Sequence, residues 1–175
     1  IYNSYVDSPG AIGVQGTYNV GGMVGRNGSS LTVQSNGSSV SAYGASLSPY
    51  SNAKVTGTTA SGSNAYIGGI AGYVGATFFS SQINDGIVNL GLIDAYEVGL
   101  GIFISTLAGG ILNSGTINGA GKVGLHAYGS NVQDGIVNTG LITGASHGIL
   151  IGQSTISGGI LNAGSIGTNF GGSSD

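Results

Sequence analysis

Cysteine is absent from this chain, which excludes disulfides, thiolate metal sites and cysteine nucleophiles. That absence is common in proteins that must stay unlocked while crossing membranes, although by itself it assigns no compartment. Lysine and arginine together number three, too few for a basic patch, so nucleic acid is excluded as a partner. No apolar run approaches the roughly 18 residues that cross a bilayer as a helix, so no membrane insertion of this segment is expected. No signal-peptide pattern is visible and the chain starts with Ile1 rather than Met, which reads as a processed product or an excerpt of something longer.

What is present is glycine, 37 of 175 residues, together with a 40% hydrophobic content. A disordered chain needs low hydrophobicity or high net charge, and neither holds here. A helix bundle is disfavoured as well, because Gly costs about 1 kcal/mol per helical position relative to Ala. A regular fold with many tight turns accounts for both features.

One nine-residue phrase is written four times: DGIVNLGLI from Asp85, GGILNSGTI from Gly109, DGIVNTGLI from Asp134 and GGILNAGSI from Gly158. Its glycines Gly86, Gly110, Gly135 and Gly159 stand 24, 25 and 24 residues apart. Ile83, Leu107, Val132 and Ile156 precede the phrase, and Gly99, Gly124 and Gly148 follow it, each before an aliphatic residue. Short aliphatic runs bounded by turn residues are strand signals, and no stretch keeps a helical period. The pattern predicts an all-β chain, a single-stranded parallel β-helix of about 24 residues and three short strands per coil. About seven coils would fill the length, right-handed because parallel crossovers are.

Stacked about 4.8 Å apart, equivalent residues form columns. Asn89, Asn113, Asn138 and Asn162 then make a structural asparagine ladder, each amide donating to one neighbour and accepting from the other. The same Asn is expected to turn the chain near the left-handed region, which it tolerates. The units alternate, Asp or Gly before the first Gly, which gives a two-coil period. Alternation would hold Asp85 and Asp134 about 10 Å apart and relieve their repulsion.

Residues 1–80 follow a related rule, since VGGMVGRNG (Val20–Gly28) matches IGGIAGYVG (Ile67–Gly75). With the preceding NSYVDS and YSNAKVTGT, these phrases resemble the GLUG repeat of large secreted bacterial proteins, filamentous-haemagglutinin-like adhesins among them. GGILNSGTI is similar to repeats in autotransporter passengers. The resemblance implies GLUG-like coils over 1–80 and GIxNxGxI coils over 81–175, in one continuous solenoid on a bacterial surface.

A search for chemistry finds few candidates. Asp85 and Asp134 sit at turn positions that Gly fills on alternate coils, Asp94 and Glu97 in a loop where solvent can satisfy them. His126 and His147 fall at different offsets and form no relay. No catalytic, cofactor or metal residues are assigned. Tyr43, Tyr66, Tyr73 and Tyr128 are candidate contact aromatics, suited to sugars or sticky interfaces, or else core caps at solenoid corners. The sequence therefore leads us to expect a non-catalytic structural and adhesive segment of a secreted, extracellular surface protein. Its expected partners are further copies of itself, end to end or laterally, or a glycan or protein of a host or neighbouring cell. The alternative is a carbohydrate-binding or polysaccharide-cleaving β-helix.

Overall fold

Aliphatic residues spaced by Gly and Asn every few positions favour short strands that can stack only on copies of themselves. The computed structural model describes residues 75–169 throughout, and before them residues 64–68, 70–72 and the strand segments Ser4–Tyr5, Gln15–Gly16, Asn19–Val20, Leu31–Asn36, Val40–Tyr43 and Ala53–Thr58. The fold is an all-β parallel solenoid of about four turns, with coils of about 24 residues and no helix among the described residues.

Register follows the repeat. Ile87, Ile111, Ile136 and Ile160 are successive partners in one sheet. Ile93, Ile117, Ile142 and Ile166 are partners in a second. Leu100, Leu125 and Ile149 follow one another in the third, as do Ile83, Leu107, Val132 and Ile156 at its far end. These rows point inward and merge into one core with Ala65, Ile67, Phe78 and Ile102. Fully burying an Ile or Leu side chain stabilises by about 1.5–3 kcal/mol, so each added coil strengthens the one beneath it.

A coil contains four strand segments rather than three. In one turn they are Val123–Tyr128, Asn131–Val132, Ile136–Asn138 and Leu141–Gly144. The first two continue one sheet, because Ala53–Thr58 pairs both with Ala76–Phe79 and with Gln82. A bend divides them in every later coil. There the column Ser80, Ile104, Gly129 and Gln153 adopts left-handed backbone, with φ of 47°, 51°, 62° and 50°. The left-handed corner is therefore not at the asparagines, as the sequence suggested. Asn89, Asn113 and Asn138 end strands and point inward, where they are fully buried.

The two sequence types meet inside one sheet, since Ala65–Gly68 pairs in parallel with Ile87–Asn89. Ile67 there occupies the position of the ladder asparagines and is itself buried. Farther towards the N-terminus Val40–Tyr43 and Leu31–Asn36 keep parallel pairing, whereas Ser4–Tyr5 runs antiparallel to Gln15–Gly16. Most of the GLUG-like phrase Val20–Gly28 lies outside the described residues.

Candidate functional site

Three constellations of polar or aromatic side chains recur from coil to coil. The asparagine column is the most enclosed. The Asn89 Nδ2 donates to Asn113 Oδ1 at 2.8 Å, Asn113 to Asn138 at 2.7 Å and Asn138 to Asn162 at 2.8 Å. Each amide also donates to the carbonyl of the Gly two residues on, at 3.2 Å for Asn89, Asn113 and Asn138. That Gly is fixed by space: a Cβ on Gly115 or Gly140 would lie 2.0 Å from the carbonyl oxygen of the preceding coil's Gly. With their donors and acceptors spent on one another, Asn89, Asn113 and Asn138 are structural rather than available to a ligand.

A second ladder went unread in the sequence. Ser81, Ser105, Ser130 and Ser154 follow the left-handed column, 24, 25 and 24 residues apart. The bend carries each serine's N–H away from the backbone carbonyls of the next coil. Instead, the N–H of Ser81 donates to Ser105 Oγ at 3.0 Å, Ser105 to Ser130 Oγ at 3.1 Å and Ser130 to Ser154 Oγ at 3.0 Å. Each hydroxyl donates in turn to the carbonyl two residues before it, as Ser105 does to Phe103 at 2.8 Å. A buried N–H without a partner costs about 1–3 kcal/mol, so these hydroxyls permit the corner. The signal was the spacing itself, overlooked because Ser is frequent in turns.

The acids are arranged more simply. Asp85 and Asp134 both line a shallow groove of about 440 Å³, with Asn64, Asn84, Gly109 and Gly110 between and around them. Two coils separate them, about 10 Å, and Asp85 Oδ2 is enclosed without a hydrogen-bond partner. Their alternation with Gly has a packing cause. A Cβ on Gly109 would lie 2.2 Å from the Asp85 carbonyl oxygen, and one on Gly158 would lie 2.4 Å from that of Asp134. Main-chain crowding thus excludes an acid from the alternate coils, whatever charge repulsion adds. Among the described residues no three His, Asp or Glu side chains gather as a metal site requires.

Asp94 and Glu97 are not merely solvated, as the sequence suggested. Asp94 lies in the strand Leu92–Ala95 and accepts from Asn118 Nδ2 at 2.7 Å, and Glu97 forms an ion pair with Lys122 on the next coil. Both contacts staple successive coils at the surface, where such pairs are worth at most about 1 kcal/mol.

The third constellation is aromatic. Phe79, Phe103 and Tyr128 are register partners on consecutive coils, on the outer face of the long-strand sheet. His126 stands beside them, edge-on to Phe103 with ring centres 5.1 Å apart and to Tyr128 at 6.4 Å. Burial among these rings lowers the His126 pKa from its ordinary value, and His147 on the next coil lowers it further. The two histidines occupy different columns, since Val123 is the register partner of His147 and Leu150 that of His126. Of the other candidate tyrosines, Tyr43 and Tyr66 belong to the strands Val40–Tyr43 and Ala65–Gly68, while Tyr73 lies outside the described residues.

Compared with protein-family models, with curated proteins and with solved structures, the chain matches none. Its function has to be argued from the solenoid itself.

Proposed function

We propose that this chain is a non-catalytic structural and adhesive segment of a secreted bacterial cell-surface protein, and that it associates end to end into an extracellular filament. The observation that carries this reading is the last described coil. The inward Ile151 and Ile160, partners of the buried Ala127 and Ile136, are 38% and 46% exposed there, and the coil bears no Asp, Glu, Lys or Arg between 147 and 169. Sheet edges that must stay unpaired are normally guarded by charges, prolines or bulges. Among the described residues the strands of this coil pair on one side only and its inward apolar side chains are uncovered, the geometry that a further coil in register, whether of this chain or of another copy, would complete.

The GLUG-like and autotransporter-like phrases support a bacterial surface origin. By the same sequence rule the solenoid is right-handed and extends through residues 1–80 to about seven coils, with three strands each when a bent pair is counted once. The low charge suits a rod that meets host glycans, neighbouring cells or other copies without repulsion. Light scattering and electron microscopy across a concentration series test the assembly. Elongating rods are expected, and substituting Leu161→Lys should shorten them without lowering the melting temperature. Dispersed monomers at high concentration would refute it.

A further inference from the structure

We infer that the aromatic row Phe79–Phe103–Tyr128, with the polar row across the corner beside it, is a binding site for a neutral, extended saccharide lying along the solenoid axis. The site is on a sheet face rather than at the coil end, so this inference goes beyond the scaffold reading and does not depend on it.

The rings are held in a particular way. Two of the outward positions beside them are glycines, Gly101 and Gly152. A Cβ on Gly101 would lie 2.4 Å from the Phe103 ring, and one on Gly152 would lie 2.9 Å from the Tyr128 ring. The Phe103 and Tyr128 rings therefore lie over bare backbone instead of standing off the sheet. Phe79 and Tyr128 remain 41% and 42% exposed, and Ile104 at the adjoining corner is 58% exposed. Aromatic surface lowered onto a sheet and left open to water is suited to stacking against the apolar face of a sugar ring.

Across the left-handed corner runs a second outward row of register partners, Gln82, Thr106, Asn131 and Thr155. It supplies one amide or hydroxyl per coil. Asn131 Oδ1 here, and Thr77 Oγ1 beside the rings, are enclosed and have no hydrogen-bond partner. Turning either side chain outward would offer that atom to a ligand hydroxyl. Neither row contains a carboxylate, lysine or arginine, so a charged polymer gains nothing there.

Size and period select a saccharide over a protein. A stable protein interface needs about 800 Å² per partner around an apolar centre. This strip is one side chain wide and interrupted by Gly. Its contacts repeat every coil, about 4.8 Å, close to the width of one sugar ring. A linear polymer of neutral rings can meet an aromatic and a hydrogen-bonding group on each of the three coils that carry Phe79, Phe103 and Tyr128.

The test is calorimetric titration of the full chain with cellohexaose and with chitohexaose, alongside an oligogalacturonate as a charged comparison. At least one neutral hexasaccharide is expected to bind and the charged one not to. Tyr128→Ala should weaken binding about tenfold, the loss of one stacked ring. Tyr128→Phe should retain most of it. Gly101→Ala pushes the Phe103 ring away without removing it and should also weaken binding, while Leu112→Ala on another sheet should not. Failure of both neutral sugars to bind the unaltered chain overturns the inference. So does equal affinity in Tyr128→Ala, or a Tyr128→Ala effect limited to melting temperature, which would make the row a stabilising ladder only. Rod formation, followed separately by light scattering, reports on the scaffold reading whichever way the titration falls.

Discussion

The turn from Val123 to Gly144 and the turn from His147 to Thr168 share one pattern, yet they have different environments. In the first, Leu125, Ala127, Val132 and Ile142 are wholly inaccessible and Ile136 is 1% exposed. In the second, their partners Ile149, Ile156 and Ile166 are only partly buried, and Ile151 and Ile160 are 38% and 46% exposed. Asn138 is enclosed, while its partner Asn162 accepts a hydrogen bond from it and stands exposed. The difference is one of neighbours rather than residues. A coil of this size cannot bury its own apolar row, so burial is conferred by the coil stacked upon it.

Equal substitutions at register partners should therefore have unequal effects. The largest contrast is expected between Ile136→Ala and Ile160→Ala. Chemical denaturation should show a loss of about 2–4 kcal/mol for the first and under about 1 kcal/mol for the second. Similar losses at both positions would mean that the last coil is covered in solution, as end-to-end association requires, so the measurement should be repeated at several protein concentrations.

Next in size is the asparagine ladder. Asn113→Ala removes the acceptor of Asn89 and the donor to Asn138 and should cost about 2–3 kcal/mol, whereas Asn162→Ala should cost about 1 kcal/mol. Asn113→Ile sharpens the point, because Ile67 holds the same position one coil before Asn89. It restores apolar packing but still orphans the buried amides, so it should recover only part of the loss.

The serine corner should show a smaller effect. Ser105→Ala deprives the Ser81 N–H of its acceptor, and about 1–2 kcal/mol is expected in thermal or denaturant unfolding. Backbone strain can be tested at the same corner: Ile104→Gly removes the cost of a branched residue at φ 51° and should raise stability slightly.

The smallest effect concerns pH. His126 has a lowered pKa in the fold, held there by burial among Phe103 and Tyr128 and by His147. The unfolded chain then takes up the proton first. The stability linked to this group is present above about pH 6.5 and declines as pH falls towards the folded value. Melting temperature should drop slightly on acidification from pH 7.5, and His126→Gln should reduce that slope. An unchanged slope would show that the ring is not shielded in solution.

Much of this architecture could be read from spacing. The recurrence of Ile87, Ile93 and Ile83 at fixed offsets placed the inward rows correctly, and the Asn column fell where the phrase put it. The role of that Asn as a turn former did not hold. Composition identifies a residue tolerant of left-handed backbone, but here the buried amide is held extended by its bonds to both neighbours. Conversely, Ile104 is among the residues least expected at positive φ, and it takes that conformation because stacking sets the corner for the whole column. The ring cluster escaped notice because Phe103, His126 and Tyr128 share no motif, and their proximity depends on register between coils.

By itself the sequence determined the period, the parallel stacking and the identity of the inward columns, because a repeat states which residues share an environment. It could not state what that environment is. Only the tertiary structure decided that serine hydroxyls replace missing carbonyls at the bend, that main-chain crowding keeps Asp out of alternate coils whatever charge adds, and that glycines let rings settle on the sheet. Each depends on the offset between neighbouring coils, a distance of a few ångströms that hydrogen-bond geometry fixes and residue spacing does not record.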